Sequence, residues 1–569
     1  MQLKPISELN KRPEEIDSHA GRTEKSRLSL NFRESVTMPG ALTVAASALV
    51  YYPRVKRLRD GSYLLFTQDR RVSSCVYYAK SPDGLHYGAR NVFYRSRPVV
   101  REDGEEDTLC YATTDALVLS NGDVLAFTSF RYNKGYALDA KYCGILMRRS
   151  SDNGNTWSKE RLIYLGRNWE PSAIERPDGE IQVYFSHTAP KFYLDPTVRT
   201  ASKIHTSSGS AIIRSRDGGE HWEPDVMGAP YAAWRVSQNY VETMENGTKI
   251  FTNQMPVALS LHNGDIALAT ESDMMVGRFM LTMSYSSDNW ARPLGIDEDG
   301  PADKTPAFTY GAGPYLAQFP SGETVLFFNT QDKFFLRMGD ERARGFSEKN
   351  EILAFSGRTG YWGTVLVDTP HSLLACAPHV RETKDEKGRI LSSDNDLMVG
   401  RYYLNHTIRA ERAAGELFSS DGDALFLGAG SQAQTSVRVA LDEENLYIRS
   451  DRLDRRLEHR DGEKICLAGE DGLFITADYS LEGDLYATVN GRGTREITHE
   501  TTLFGELDGD PFYTNGAVTV VTVPRKFIGE RSRLGISVKL SDYEGDQVHT
   551  EYLPGVEESD TSTYMEILL

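Results

Sequence analysis

The chain has 569 residues, with 64 Lys and Arg against 81 Asp and Glu, a formal net charge of −17 at pH 7. That balance excludes a general affinity for nucleic acid or anionic membrane, both of which need a basic footprint, and no run of about 18 apolar residues exists to span a bilayer. Hydrophobic residues at 40% and charged residues at 25% are those of an ordinary globular chain.

The first residues, MQLKPISELNKRPEEIDSH, contain no apolar segment resembling a secretory signal, so a cytoplasmic location is expected. The scattered Cys75, Cys110, Cys143, Cys376 and Cys466 form no CxxC pair and no disulfide framework, which fits a reducing compartment. Residues 1–35 are expected to be an N-terminal extension packed on the domain that follows.

Between residues 36 and 410 one phrase recurs: YPRVKRLRDG (52–61), TTDALVLSNG (113–122), EPSAIERPDG (170–179), MPVALSLHNG (255–264) and GPYLAQFPSG (313–322). Each ends in glycine and is followed by a short β-rich run, the pattern of a hairpin whose tight turn needs positive φ. A glycine-less sixth copy lies at 360–377, and a second pair of β-rich runs separates successive copies. Four strands per repeat and six repeats predict an all-β, six-bladed β-propeller.

The second hairpin of a repeat carries its own signature, SSDNGNTW (150–157) and SRDGGEHW (215–222), with shorter forms SPDGLHY (81–87) and SSDNW (286–290). A carboxylate there is expected to cap turn amides while the aromatic packs back against the blade. These phrases resemble the Asp-box (BNR repeat) of sialidase-like propellers, where the resemblance implies a structural role away from the catalytic mouth. The long stretch between the third and fourth repeats, including 196–209 and 229–240, is expected to wall the site.

After residue 410 the phrase stops. Residues 411–569 show alternating runs such as TSVRVALD, NLYIRSD, DGLFITADYS and VTVVTVP, which predict a C-terminal β-sandwich. The phrase VRVALDEENLYIRSDRLD resembles the start of a carbohydrate-binding module, although all six Trp lie before residue 411. The domain is expected to be such a module or a structural partner of the propeller.

In a four-strand meander the start of the first strand and the end of the second lie at the same end of the blade. Counting outward from the glycine hairpins places Arg54, Gln68, Asp115, Ser129, Glu170, Ser186, Glu271, Tyr315 and Asn329 at one mouth, joined by Tyr361 and Trp362 of the sixth repeat. Two carboxylates on neighbouring blades, Glu170 and Glu271, are what glycosidic cleavage requires when one is protonated and the other ionised. Arg54 and Asp115 are candidates to orient sugar hydroxyls, and Tyr132, His187, Trp234, Tyr315, Tyr361 and Trp362 to supply stacking surfaces and donors.

The segments WEPSAIERPDGEIQVYFSH (169–187) and NQMPVALSLHNGDIALATES (253–272) resemble the exo-arabinanase family of six-bladed glycoside hydrolases. The resemblance covers roughly 40–405 in scattered motifs. It implies an exo-acting hydrolase of a terminal sugar on an oligosaccharide or glycoside, with Glu271 as nucleophile and Glu170 as general acid/base in a retaining mechanism; the opposite assignment stays open. Three other readings stand beside it: a sialidase using Tyr361 and Arg54, with Arg278 and Arg337 as further arginines; a propeller polysaccharide lyase using His187 and Tyr132; and a non-enzymatic glycan-binding propeller. No metal-ligand motif or phosphate loop is evident, so neither metal nor cofactor is expected.

Overall fold

The computed structural model describes residues 25–38, 51–69, 75–190, 206–225, 230–243, 249–275, 278–330, 333–356, 362–412, 417–418, 423–428, 432–511 and 515–569. The chain divides into two compact units. One is built on Val36–Asp368 and Leu374–Gly400, the other on His19–Ser35, Thr369–Leu373 and Arg401–Leu569.

The fold is a six-bladed β-propeller with a β-sandwich. Blade one runs Tyr51–Arg57, Tyr63–Asp69, Cys75–Ser81 and Asn91–Tyr94 as an antiparallel meander. Blades three, four and five repeat that order from Asn168–Glu175, Gln254–Ser260 and Ala312–Gln318. Blade two, starting at Glu106–Val118, has a fifth strand, Arg97–Val100, on the edge of its long first strand. The sixth sheet is Thr364–Thr369, Ser372–Lys384 and Ile390–Asn405, with Arg27–Met38 as its outer strand. Residues 27–35, read as part of an extension, thus contribute a strand to a blade.

The first strands stand side by side in chain order. Ser129 Oγ donates to Asn168 Oδ1 across blades two and three (2.6 Å), Ser172 Oγ to the Pro256 carbonyl across three and four (2.7 Å), and Arg54 Nη1 to the Gly363 carbonyl across one and six (2.8 Å). Apolar layers fill the gaps between blades: Leu64, Phe66 and Phe93 with Tyr111 and Val124, for example, and Leu125, Phe127 and Ile145 with Val183, Phe185 and Ile213.

The capped turns behave as their composition predicts, with one change. Asp152 Oδ1 accepts from Thr156 N at 2.8 Å and Asp217 Oδ1 from His221 N at 2.8 Å, and Asp83 and Asp288 sit in the same turn. The bonds from Thr156 hold the Asp152 carboxyl down at about 2. Each turn's aromatic, however, packs on the preceding blade. Trp157 lies against Phe93 (4.9 Å) and Trp222 against Phe127 (6.0 Å), while Trp290 Nε1 donates to Tyr184 Oη (2.8 Å). A fifth turn escaped the motif: Asp340 Oδ1 accepts from Arg342 N and Arg344 N at 2.9 and 2.8 Å, with Gly339 where the other turns have Ser.

In the second unit two sheets pack over a core that includes Val437, Ile448, Ile465, Ile475, Val521 and Ile536. One sheet centres on Gln434–Leu441, Asn445–Asp454 and Asn515–Pro524; the other on Arg533–Glu544, Gly462–Ala468 and Phe474–Ser480. The alternating runs read in the sequence are strands of this sandwich.

Candidate active site

The site begins with a backbone irregularity. In blades one, three, four and five the first strand loses register just after it starts, between Tyr51 and Arg54, Trp169 and Ser172, Gln254 and Val257, and Ala312 and Tyr315. The residue before proline in each bulge is left-handed: Tyr52 at φ +49°, Glu170 at +49°, Met255 at +50° and Gly313 at +58°; Trp362 of the sixth copy has +45°. Bulges re-aim side chains at rims, and a left-handed non-glycine residue is strained. This turn aims Glu170. Gly313 alone among the five has no side chain, because a Cβ there would lie 1.9 Å from Trp362 Cδ1.

Glu271 arrives differently, from within the second strand Ile266–Met275, paired with Gln254. It is buried. Its Oε2 accepts from Gly313 N at 2.7 Å and from Trp362 Nε1 at 3.5 Å, and Trp362 in turn stacks on Tyr52 at 4.4 Å. Burial pushes the Glu271 carboxyl up to about 8, the charge of Glu170 adds to the rise, and the two N–H donors oppose it. A proton is therefore held on Glu271 at neutral pH beside a second carboxyl close enough to be felt.

Ser186 links the two halves. It occupies in blade three the register that Glu271 occupies in blade four. Its Oγ donates to Glu170 Oε2 (3.1 Å) and accepts from Met255 N (2.9 Å), as Glu271 accepts from Gly313 N. A second-strand side chain thus caps the amide exposed by the next blade's bulge.

Two residues along the first strands lies a closed layer. Lys56 Nζ contacts Asp115 Oδ1 (3.0 Å) and donates to Tyr315 Oη (2.7 Å), and Tyr315 Oη donates to Asp115 Oδ2 (3.0 Å). Arg54 lies over the Tyr315 ring at 5.2 Å and gives Nη1 to the carbonyls of Pro53 and Gly363. Arg54, Asp115 and Tyr315 are buried. These three candidates are therefore engaged with one another, with Lys56 and with backbone carbonyls where first strands of different blades meet. Lys56 was missed, although its place two residues beyond Arg54 put it on the same edge.

Other candidates also part from the site. His187 is fully buried among Tyr164, Phe185 and Tyr231, its Nδ1 accepts from Arg235 Nε at 3.0 Å, and burial holds its pKa well below the usual imidazole value. An imidazole so enclosed cannot abstract a proton from a uronate. Tyr132 packs on Tyr142 (5.0 Å), and Trp234 sits on the outermost strand of blade three with Arg214 over its ring at 4.7 Å. Arg337 is buried against Glu351 (2.7 Å). Tyr361, the Arg278 side chain and loop residues 196–205 lie outside the described residues. Of the eleven residues placed at the mouth, Glu170, Ser186, Glu271, Asn329 and Trp362 come together there, Asn329 Oδ1 lying 3.0 Å from where a Cβ on Gly313 would stand.

No family model matches the chain, and no curated protein matches it. Solved structures overlap it weakly. A GH43 protein from Bacillus licheniformis is 12% identical over 93% of this chain and 92% of its own, with a TM-score of 0.31. The β-propeller domain of a trilobed protease from Pyrococcus furiosus is 12% identical, covering 62% and 98%, at 0.24. A carbohydrate-binding module of family 9 from Caldicellulosiruptor kristjanssonii, in complex with glucose, is 12% identical, covering 29% and 95%, at 0.22. Overlaps at these scores assign neither fold nor activity; the sheet order of this chain establishes its architecture.

Proposed function

We propose that the protein is an exo-acting glycoside hydrolase that removes a terminal sugar from an oligosaccharide with Glu170 and Glu271. One observation carries the reading: two carboxyls from neighbouring blades are held at one end of the ring, Glu170 by Ser186 Oγ and Glu271 by Gly313 N, and burial raises the second so that it favours its proton. Glu271 then gives its proton to the glycosidic oxygen as that bond breaks. The Glu170 carboxylate attacks the anomeric carbon to form a glycosyl ester, and Glu271, now ionised, takes a proton from the water that hydrolyses it. This reverses the roles the exo-arabinanase resemblance implies, because the retained proton belongs to the acid. Exo action follows the exo-arabinanase resemblance of the segments that carry the two glutamates.

The sialidase reading loses its first arginine, as Arg54 is bonded to backbone carbonyls, and the lyase reading loses His187. The test is a panel of aryl glycosides of arabinose, galactose, fucose, rhamnose and sialic acid. On the substrate cleaved, Glu170→Gln and Glu271→Gln should each lower kcat at least about 100-fold, the scale of general acid–base catalysis. Proton NMR should show the first product with retained configuration. Full activity in either variant would sink the two-carboxylate reading.

A further inference from the structure

Outside the propeller mouth the described residues hold two clusters of metal-ligating side chains. Asp454, Asp461 and Asp542 already enclose a cation of the protein, Arg452 Nη2, at 2.7, 3.4 and 3.6 Å. His371, His406 and Asp423, all in the second unit, bring one ligand atom each to within 4.8 Å of one another. The imidazole centroids are 5.7 Å apart, and His371 Nε2 lies 3.3 Å from Asp423 Oδ1. Among the described residues no Lys or Arg side chain pairs with Asp423.

We propose that His371, His406 and Asp423 bind one divalent transition-metal ion of the zinc class. Two imidazole nitrogens and a carboxylate oxygen suit such an ion, which takes nitrogen and oxygen ligands at about 2.0–2.2 Å. Small side-chain rotations bring atoms spaced as these are onto one centre. The backbone behind each ligand is already fixed. Leu404 N donates to the His371 carbonyl (2.8 Å), Asn405 exchanges two hydrogen bonds with the Phe426 backbone (2.6 and 2.8 Å), and Arg409 N donates to Asp423 Oδ2 (3.0 Å). That last bond leaves Oδ1 directed at the imidazoles, the kind of outer support that orients a ligating carboxylate. The ion ties together the turn at 369–372, the chain at 406 and the loop at 423. With three protein ligands, its fourth position is left to water. The ligands are 35 and 17 residues apart in sequence, so no compact motif announces them.

The test uses the full chain, stripped with EDTA and titrated with Co(II), whose visible spectrum reports tetrahedral nitrogen and oxygen coordination. One Co(II) per chain should bind, be displaced by Zn(II), and raise the melting temperature. His406→Ala should weaken Co(II) binding by more than about 100-fold, beyond the loss typical of an outer-shell change. Asp423→Asn keeps size and hydrogen bonding, so a loss of Co(II) affinity in a folded Asp423→Asn chain cannot be laid to misfolding. Absence of stoichiometric Co(II) binding in the parent chain overturns the site, as does parental affinity in either variant.

Discussion

Glu170 and Glu271 reach the same end of the ring by different backbone routes, and the difference sets their chemistry. Glu170 projects from a left-handed bulge residue, a conformation costing of order 1–3 kcal/mol. Glu271 lies within a strand, Ile266–Met275, and is buried, which raises its carboxyl from 4.5 to about 8. Below the lower value both folded and unfolded chains carry the proton. Between the two values the unfolded chain releases it while the folded chain keeps it, so rising pH favours unfolding until the loss is complete above about 8. At 1.36 kcal/mol per unit the full loss is about 5 kcal/mol. Glu271→Gln removes the titration. In denaturant unfolding at pH 5, 7 and 9 the variant should gain steadily on the parent; parallel profiles would show that Glu271 titrates normally. The glutamates themselves were legible, because glycine hairpins allow counting to the mouth. The fate of Arg54, Asp115 and Tyr315 was not. Counting gives the layer of a side chain but not its partner, and Asp115 meets Tyr315 across the ring, 200 residues away in sequence.

Strands and turns were far easier to read than contacts. The prolines at 53, 171, 256 and 314 mark bulges, yet in the sequence they showed only as a recurring letter, because a left-handed residue before proline has no composition of its own: Tyr, Glu, Met and Gly all serve. The fifth capped turn was hidden for a similar reason, since Asp340 caps without the serine that completes the phrase. The inter-blade cap is the device that joins these elements to function. Ser186 satisfies Met255 N and also donates to Glu170, so Ser186→Ala strands a buried amide and removes one donor from a carboxylate at once. A buried unsatisfied donor costs about 1–3 kcal/mol. Denaturant titration should find Ser186→Ala less stable by that amount, and Ser186→Thr, which keeps the hydroxyl, should recover most of it. If Ala and Thr are equally mild, the serine is not holding the bulge.

A propeller must close its ring, and here the sixth sheet takes its outer strand, Arg27–Met38, from the opposite end of the chain to the other three. Leu28, Ser29 and Asn31 on that strand are buried, Ser29 Oγ accepts from Asn405 Nδ2 at 3.0 Å, and Glu34 pairs with Arg401. The LSLNFRESV segment was read as part of an extension and not as a blade strand, because its partner lies more than 350 residues on, beyond any local pattern. Removing residues 1–38 leaves the strand Ile390–Asn405 as a bare sheet edge, a row of unpaired amides and carbonyls open to other chains. Losing one buried polar contact and one buried Leu already removes several kcal/mol, and a large domain loses about 2–4 °C per kcal/mol. The truncated chain should therefore melt at least about 5 °C lower and elute partly as oligomers in gel filtration. A truncated chain that stays monomeric and melts with the parent would mean that closure does not depend on this strand.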